Sequence, residues 1–163
     1  MTEPHVTWLS QAAFDSLVAE LAEREGPIRT EITARIAEAR AEGDLKENGG
    51  YHAAREEQGH NEGRINHLKA LLENAKVGAP EVADGVAHIG RVVTIQFAPG
   101  DSETYYIGTA TEAEFTKFEI LSPGSPLGEA VIGRHIGDDI EYKLPNGRET
   151  TVTLIDVQKN ETA

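Results

Sequence analysis

Cysteine is absent from this 163-residue chain, which excludes disulfide bonds and metal sites built on thiolates. Long apolar runs are absent too: none approaches the roughly 20 residues that a membrane-spanning helix needs. The first residues lack the basic region and the apolar stretch of a signal peptide. These absences lead us to expect a cytoplasmic protein without a membrane partner.

Basic residues are scarce. The chain has 15 lysines and arginines against 28 aspartates and glutamates, a formal net charge of -13. Nucleic-acid phosphates would repel such a chain, so independent binding to DNA or RNA is not expected, and a basic protein surface is the more natural partner. The acidity is equally compatible with plain solubility, and composition alone does not decide between these interpretations.

The motifs of self-contained enzymes are also missing. The sequence has no glycine-rich phosphate loop, no nucleophile elbow and no pair of histidines spaced as zinc ligands. We therefore predict that the protein is not an enzyme with a complete active site of its own.

Two stretches with helical periodicity dominate the first half. Apolar residues recur every three or four positions over residues 10–42 and 51–76, as they do on one face of a helix. Each stretch has a single narrow apolar seam, which two helices can cover for each other. The sequence therefore predicts an antiparallel coiled-coil hairpin in an N-terminal domain of residues 1–79, with its tip at 43–51.

Helix boundaries are indicated by a few residues. Ser10 stands where the first helix begins and is a candidate N-cap, and Gly43 stands where a C-cap is expected. Gly26 and Pro27 interrupt the first pattern. Because proline removes a backbone donor and disfavours helix in the residue before it, we expect a kink or a short break there.

The second half, residues 80–163, alternates short apolar runs with turn signals. Strands are predicted at residues 91–97, 103–107, 117–121, 139–143 and 149–157, and a short helix at 125–132. Five strands and one helix predict a small α+β domain, so the fold class of the whole chain is α+β.

The predicted tip carries two carboxylates, Asp44 and Glu47, three positions apart. On a helical turn both would face the same way. Such a pair suits Mg²⁺, but it forms only a partial site that ligands from elsewhere must complete. Asn48 is available to hydrogen-bond a metal-bound water or a phosphate oxygen. The residues alone leave another interpretation open, in which Asp44 or Asn48 caps the second helix and Glu47 is merely solvated.

A family resemblance is carried by seven short runs: GDLKEN from Gly43, YHAAREEQG from Tyr51, EGRI from Glu62, LLENA from Leu71, SPLGEAVIG from Ser125, GD from Gly137 and PNG from Pro145. Together they closely resemble the Gre family of bacterial transcript cleavage factors, in its GreA-like branch. The resemblance extends from about residue 9 to residue 157.

The resemblance implies an FKBP-like C-terminal domain that docks on bacterial RNA polymerase at the rim of its secondary channel. The coiled coil would enter the channel and bring Asp44 and Glu47 to the active centre of a backtracked polymerase. There the two carboxylates would help to hold a second Mg²⁺ and to position the attacking water, while the polymerase cleaves the nascent RNA. Nascent RNA or DNA would be contacted only inside the elongation complex, and we expect a monomer.

The resemblance and the tip motif together yield a set of expected partner-binding residues: Asn48, Tyr51, Arg55, Ser125, Pro126, Leu127 and Gly128. The chain departs from the family at Gly49 and Gly50, where many relatives carry Ala-Glu or a similar pair. One negative charge is therefore missing near the tip, and the turn has more backbone freedom.

Two other functions are compatible with the residues. The first is a regulator that binds in the polymerase channel without stimulating cleavage, although the intact Asp44 and Glu47 favour cleavage. The second is a stand-alone peptide-binding or prolyl-isomerase module based on the FKBP-like half. The few aromatic residues of that half, which would have to line an apolar pocket, count against it.

Overall fold

A computed structural model describes residues 6–43, 46–98 and 100–159, and these form two compact units. One unit comprises the described residues between Asp15 and Asn74. The other comprises Val6–Phe14 and the described residues from Ala75 onward. No helix in the described part of the chain is long and apolar enough to span a membrane.

Helices account for nearly all of the first unit. Helix α1 (Gln11–Glu23), which belongs to this unit from Asp15 onward, is followed by α2 (Arg29–Ala41) and, after the hairpin turn, by α3 (Gly49–Glu73). The sequence predicted a kink or a short break at Gly26-Pro27, and the chain does not break there. It continues as a π-helical turn over Arg24–Ile28. In π geometry a carbonyl pairs with the amide five residues on, so the helix passes over Pro27, which has no amide hydrogen to donate.

Three ion pairs between the helices establish their antiparallel course. Nε of Arg64 lies 2.8 Å from Glu20, Nε of Arg29 lies 2.8 Å from Glu62, and Nη1 of Arg35 lies 2.7 Å from Glu57. Residue numbers rise along one side of the hairpin as they fall along the other. The predicted helical hairpin is therefore confirmed.

Apolar side chains form the seam between the helices, and its fully buried members include Ile32, Ile65 and Leu68. One buried position is polar. Asn61 is 4% exposed, and its amide donates to the Arg24 carbonyl over 3.1 Å while accepting from the Arg24 guanidinium over 3.2 Å. Because both ends of the Asn61 amide are satisfied, its burial does not leave an orphan polar group.

The second unit contains a small sheet that the sequence did not indicate. Strand β1 (Thr7–Leu9) pairs in parallel with β2 (Ala75–Val77). Each strand is three residues long, too short to show an alternating pattern, and its partner lies more than sixty positions away.

A five-stranded sheet in the order β5-β4-β3-β7-β6 forms most of the second unit. Its strands are β3 (Arg91–Gln96), β4 (Ser102–Ile107), β5 (Glu119–Leu121), β6 (Asp139–Lys143) and β7 (Glu149–Lys159). All neighbours are antiparallel except β4 and β5. The sheet packs on helix α4 (Pro126–Val131), whose Val131 is fully buried with Ile95, Ile140 and Leu154. The α+β fold class, a helical hairpin with a sheet domain, is confirmed.

A 3₁₀ turn at Ala110–Phe115, also absent from the prediction, carries a buried carboxylate. Glu112 is 3% exposed and accepts hydrogen bonds from the Ser10 amide over 2.8 Å and from the Ser10 hydroxyl over 2.7 Å. The Ser10 hydroxyl oxygen in turn accepts from the Ala13 amide at 3.2 Å. Ser10 is therefore the N-cap of α1, as predicted, and a residue 102 positions away holds that cap in place.

We predict that Glu112→Ala lowers the free energy of unfolding by about 2–3 kcal/mol, because two buried donors on Ser10 lose their acceptor. Urea unfolding followed by circular dichroism measures the loss. The control is Glu114→Ala, an exposed position on the same 3₁₀ turn, which should stay within about 0.5 kcal/mol of the parent. Equal effects of the two substitutions would contradict this role of Glu112.

The hairpin should lose stability in acid. Hydrogen bonds from Arg64 lower the pKa of Glu20 from 4.5 to about 2. A carboxyl whose pKa is lower in the folded chain stabilises it above the unfolded pKa, and this contribution is lost as pH falls from about 4.5 toward 2. Because the pair is partly exposed, we expect a loss of about 1 kcal/mol.

Urea unfolding at pH 7 and pH 3 tests this expectation. Glu20→Gln should reduce the difference in stability between the two pH values. Glu73→Gln, at an exposed position near the end of α3, should leave the difference as it is in the parent. An unchanged pH dependence in Glu20→Gln would show that Glu20 does not supply it.

Candidate functional site

The hairpin turn joins the end of α2 to the start of α3. Glu42, the C-cap of α2, keeps helical backbone angles, and Gly43 takes a left-handed φ of +119°, which glycine adopts without strain. The Gly43 amide reaches the Arg40 carbonyl at 3.4 Å. Gly43 therefore follows α2 where the sequence predicted its end. Asp44, one member of the predicted carboxylate pair, lies outside the described residues.

Glu47 is exposed, and its carboxylate has no hydrogen-bond or ion-pair partner among the described residues. An exposed carboxylate at the turn is open to an external ligand. The described residues bring no three histidine or acidic side chains together as a metal site. Within the described chain, Glu47 therefore offers oxygen ligands but no complete coordination sphere.

Asn48 is the N-cap of α3. Its side-chain oxygen accepts from the Tyr51 amide at 3.1 Å, and its side-chain nitrogen donates to the Ala39 carbonyl at 2.7 Å. Both ends of the amide are engaged within the turn. These contacts agree with the capping interpretation that the sequence left open, and a contact of Asn48 with a partner stays a prediction.

Tyr51 and Arg55 differ in their surroundings. Tyr51 is partly buried and packs on the cluster of Ile32, Ile36 and Ala54, with the Arg40 guanidinium carbon 5.8 Å from the centre of its ring. Arg55 is exposed, and its guanidinium donates to Gln58 over 2.6 Å. Tyr51 therefore has a structural role at the closed end of the hairpin, whereas Arg55 presents a cation to solvent. A partner contact by either residue stays a prediction.

The predicted docking residues Ser125, Pro126, Leu127 and Gly128 form the start of α4. The Ser125 hydroxyl donates to the Ser122 carbonyl over 2.7 Å and accepts from the Gly128 amide at 3.0 Å, so Ser125 caps the helix. Pro126 occupies the first turn and is exposed, and Leu127 packs against the core of the sheet domain. Of the four, Pro126 is the most accessible to a partner.

Gly128 stands where no other residue fits. A Cβ placed on it would lie 2.0 Å from the Ser122 carbonyl oxygen. The glycine thus allows α4 to approach the preceding backbone closely. This close approach explains why glycine occupies position 128 without invoking a partner protein. The predicted role of Gly128 in docking stays a prediction.

Sequence reasoning missed the groups that hold these elements together. The Ala39 carbonyl and Glu112 carry no local signal, because their partners lie 9 and 102 positions away. A capping motif is recognised from side chains a few positions apart, so only the local bonds, from the Ala13 amide to Ser10 and from the Tyr51 amide to Asn48, could be anticipated from the sequence.

Comparison with known families places both halves of the chain. Residues 7–77 match a model described as "Transcription elongation factor, N-terminal", and residues 82–159 match one described as "Transcription elongation factor, GreA/GreB, C-term". The chain belongs to the GreA/GreB family of transcription elongation factors. The resemblance seen in the short sequence runs is thereby confirmed.

Relatives named "Transcription elongation factor GreA" are similar over almost the whole chain. The protein of Streptomyces coelicolor is 50% identical over 155 residues, 94% of each chain. The protein of Mycobacterium tuberculosis is 47% identical over 161 residues, 97% of this chain and 98% of the relative. Over this length, such identity supports a GreA-type elongation factor.

Among solved structures, the GreA factor homolog 1 protein of Thermus thermophilus is 23% identical. The match covers 94% of this chain and 99% of that one, at a TM-score of 0.43. Because this TM-score is low, the structural similarity does not contribute to the family assignment, which rests on the sequence matches.

We predict that Gly128→Ala lowers the free energy of unfolding by about 1–3 kcal/mol, because its methyl group collides with the Ser122 carbonyl. Thermal and urea unfolding measure the loss. Gly124→Ala is the matched control, since a Cβ there meets only the Ser122 hydroxyl at 3.9 Å. If both variants were as stable as the parent, the close approach of α4 to Ser122 would be refuted.

Proposed function

We propose that this elongation factor inserts its helical hairpin into the secondary channel of bacterial RNA polymerase and stimulates the polymerase's own cleavage of backtracked RNA. The observation that carries the proposal is the exposed Glu47 carboxylate at the turn of an antiparallel hairpin. In this proposal the catalytic centre belongs to the polymerase, and the factor supplies one part of it. The site of action is the bacterial cytoplasm, where transcription takes place.

The dimensions of the hairpin support insertion. Helix α3 has 25 residues, which corresponds to about 37 Å at roughly 1.5 Å per residue. The pairs Arg29–Glu62 and Arg35–Glu57 fasten it to α2 along this length. A two-helix rod with its apolar seam closed within one chain is narrow and needs no second copy, which supports a monomer.

The chemistry of the turn supports a shared metal site. Carboxylate oxygens are hard ligands that suit Mg²⁺, which is usually held by one or two carboxylates together with waters and substrate phosphates. Glu47, with Asp44 as the second carboxylate of the motif, would hold the ion from one side, and the polymerase would supply the other ligands. When bound, the ion would lower the pKa of a coordinated water and stabilise charge on the scissile phosphate.

Charge supports the choice of partner. A net charge of -13 opposes binding to free nucleic acid, so contact with nascent RNA or DNA would occur only inside the elongation complex. Arg55 on α3 offers an exposed cation for such a contact. The start of α4, with Pro126 exposed, is the proposed docking point on the polymerase.

A cleavage assay tests the proposal. RNA polymerase is halted in a backtracked state on labelled RNA, and the protein is added with Mg²⁺. We expect release of short 3′ fragments by the parent protein. Glu47→Gln and Asp44→Asn should each slow release by on the order of 100-fold while polymerase affinity is retained, because both keep the shape of the side chain and remove its charge. Glu73→Gln, near the other end of α3, should cleave like the parent.

Each other outcome has a definite meaning. Cleavage by both tip variants at the parental rate would refute the assignment of the metal ligands. Binding without cleavage by the parent would replace the proposal with that of a channel-binding regulator. Failure of the parent to bind polymerase would refute the proposal as a whole.

A further inference from the structure

A single side chain connects the ends of the two helices at the turn. The Asn48 nitrogen donates to the carbonyl of Ala39, in the last turn of α2, over 2.7 Å. The Asn48 oxygen accepts from the amide of Tyr51, in the first turn of α3, at 3.1 Å. The Ala39 carbonyl also accepts from the Glu42 amide at 3.2 Å, so Asn48 is its second donor, whereas the first amides of a helix have no partner within it. Asn48 therefore caps the C-terminal end of one helix and the N-terminal end of the next.

Asparagine performs the two tasks with separate atoms, accepting through Oδ1 and donating through Nδ2. Aspartate and serine are preferred at N-caps about as strongly as asparagine, and threonine somewhat less; all three would accept from the Tyr51 amide. A carboxylate has no hydrogen to donate to the Ala39 carbonyl, and the two oxygens would repel each other. An N-cap preference alone therefore does not distinguish asparagine from aspartate here. The second bond does.

The backbone of Asn48 is fixed as well. Its carbonyl accepts from the His52 amide at 3.2 Å, which is the first helical bond of α3. The backbone of Asn48 is therefore held by α3 and its side chain by α2. Glu47 immediately precedes Asn48 in the chain, so the backbone of Glu47 is joined to a residue that is held by both helices.

We propose that Asn48 is the positioning residue of Glu47: by tying the turn to the end of α2, it sets the direction in which the Glu47 carboxylate is presented. The inference rests on the proposed function in assigning that carboxylate to the cleavage reaction. The proposed role differs from a direct contact between Asn48 and a metal-bound water. In the proposed role the Asn48 side-chain amide bonds only to Ala39 and Tyr51 of its own chain.

Three variants separate the tie to α2 from the cap of α3. Asn48→Asp keeps the acceptor for Tyr51 and removes the donor to Ala39. Asn48→Ala removes both. Gly49→Ala is the control in the same turn, since a Cβ there meets nothing within 4 Å. Loss of the cap should lower the melting temperature of Asn48→Ala by about 2–4 °C, and Asn48→Asp should lose less.

Two readouts are compared across the variants. In the halted-polymerase assay, both Asn48 variants should cleave 10- to 100-fold more slowly than the parent at unchanged polymerase affinity, because small misplacements of a catalytic group are costly. In the free protein, the ¹⁵N order parameter of the Glu47 amide should fall from about 0.85 to below about 0.6 in both Asn48 variants and stay high in Gly49→Ala. A merely structural role would make cleavage follow melting temperature, which would leave Asn48→Asp near parental activity.

The outcomes are distinct. Parental cleavage by Asn48→Asp, or an unchanged order parameter of its Glu47 amide, would overturn the positioning role. Lack of cleavage by the parent protein would overturn the proposed function instead. In that case the order parameters alone decide whether the Asn48 tie holds Glu47 in place.

Discussion

The apolar seam between α2 and α3 is the constraint on which the candidate site depends. In a two-helix hairpin each helix has one row of apolar residues, and that row is buried only by packing against the row on the other helix. Ile32 and Ile36 on α2 pack against Ala54 on α3. Ion pairs flank this seam, because arginine and glutamate side chains at its margins lie within 3 Å across the helices. The register of the seam therefore determines which residues meet at the turn, including Asn48 and Ala39.

Buried polar groups mark the places where the fold is specific. Asn61 is satisfied by Arg24 at the π-helical turn, and Glu112 is satisfied by Ser10 at the start of α1. Arg91 in the sheet domain is only 7% exposed, and its guanidinium donates to the carbonyl of Val82 over 2.8 Å. Each of these bonds is lost if either partner moves by one position, and a buried polar group left unpaired is costly. Each group therefore selects one arrangement of the elements that it joins.

Much of the architecture was predictable from local pattern. Helical periodicity located both arms of the hairpin, and all five strands of the larger sheet were placed within a few residues. Ser10 and Gly43 were recognised as boundaries from residue type alone. The helix through Gly26-Pro27 was not predicted, because proline usually interrupts the hydrogen-bond ladder and the π-helical alternative has no sequence signature of its own. The pairing of β1 with β2 was missed because three-residue strands carry too little pattern.

By itself, the sequence determined that the chain forms a helical hairpin and a sheet domain, and that its tip is acidic, because these properties follow from the spacing and type of neighbouring residues. The tertiary structure alone decided what individual residues do. It engaged Asn48 with Ala39 and Tyr51, buried Glu112 against Ser10, and required glycine at position 128 against Ser122. Such roles depend on which backbone groups meet in space, and the chain comes together there only after its helices and strands have packed.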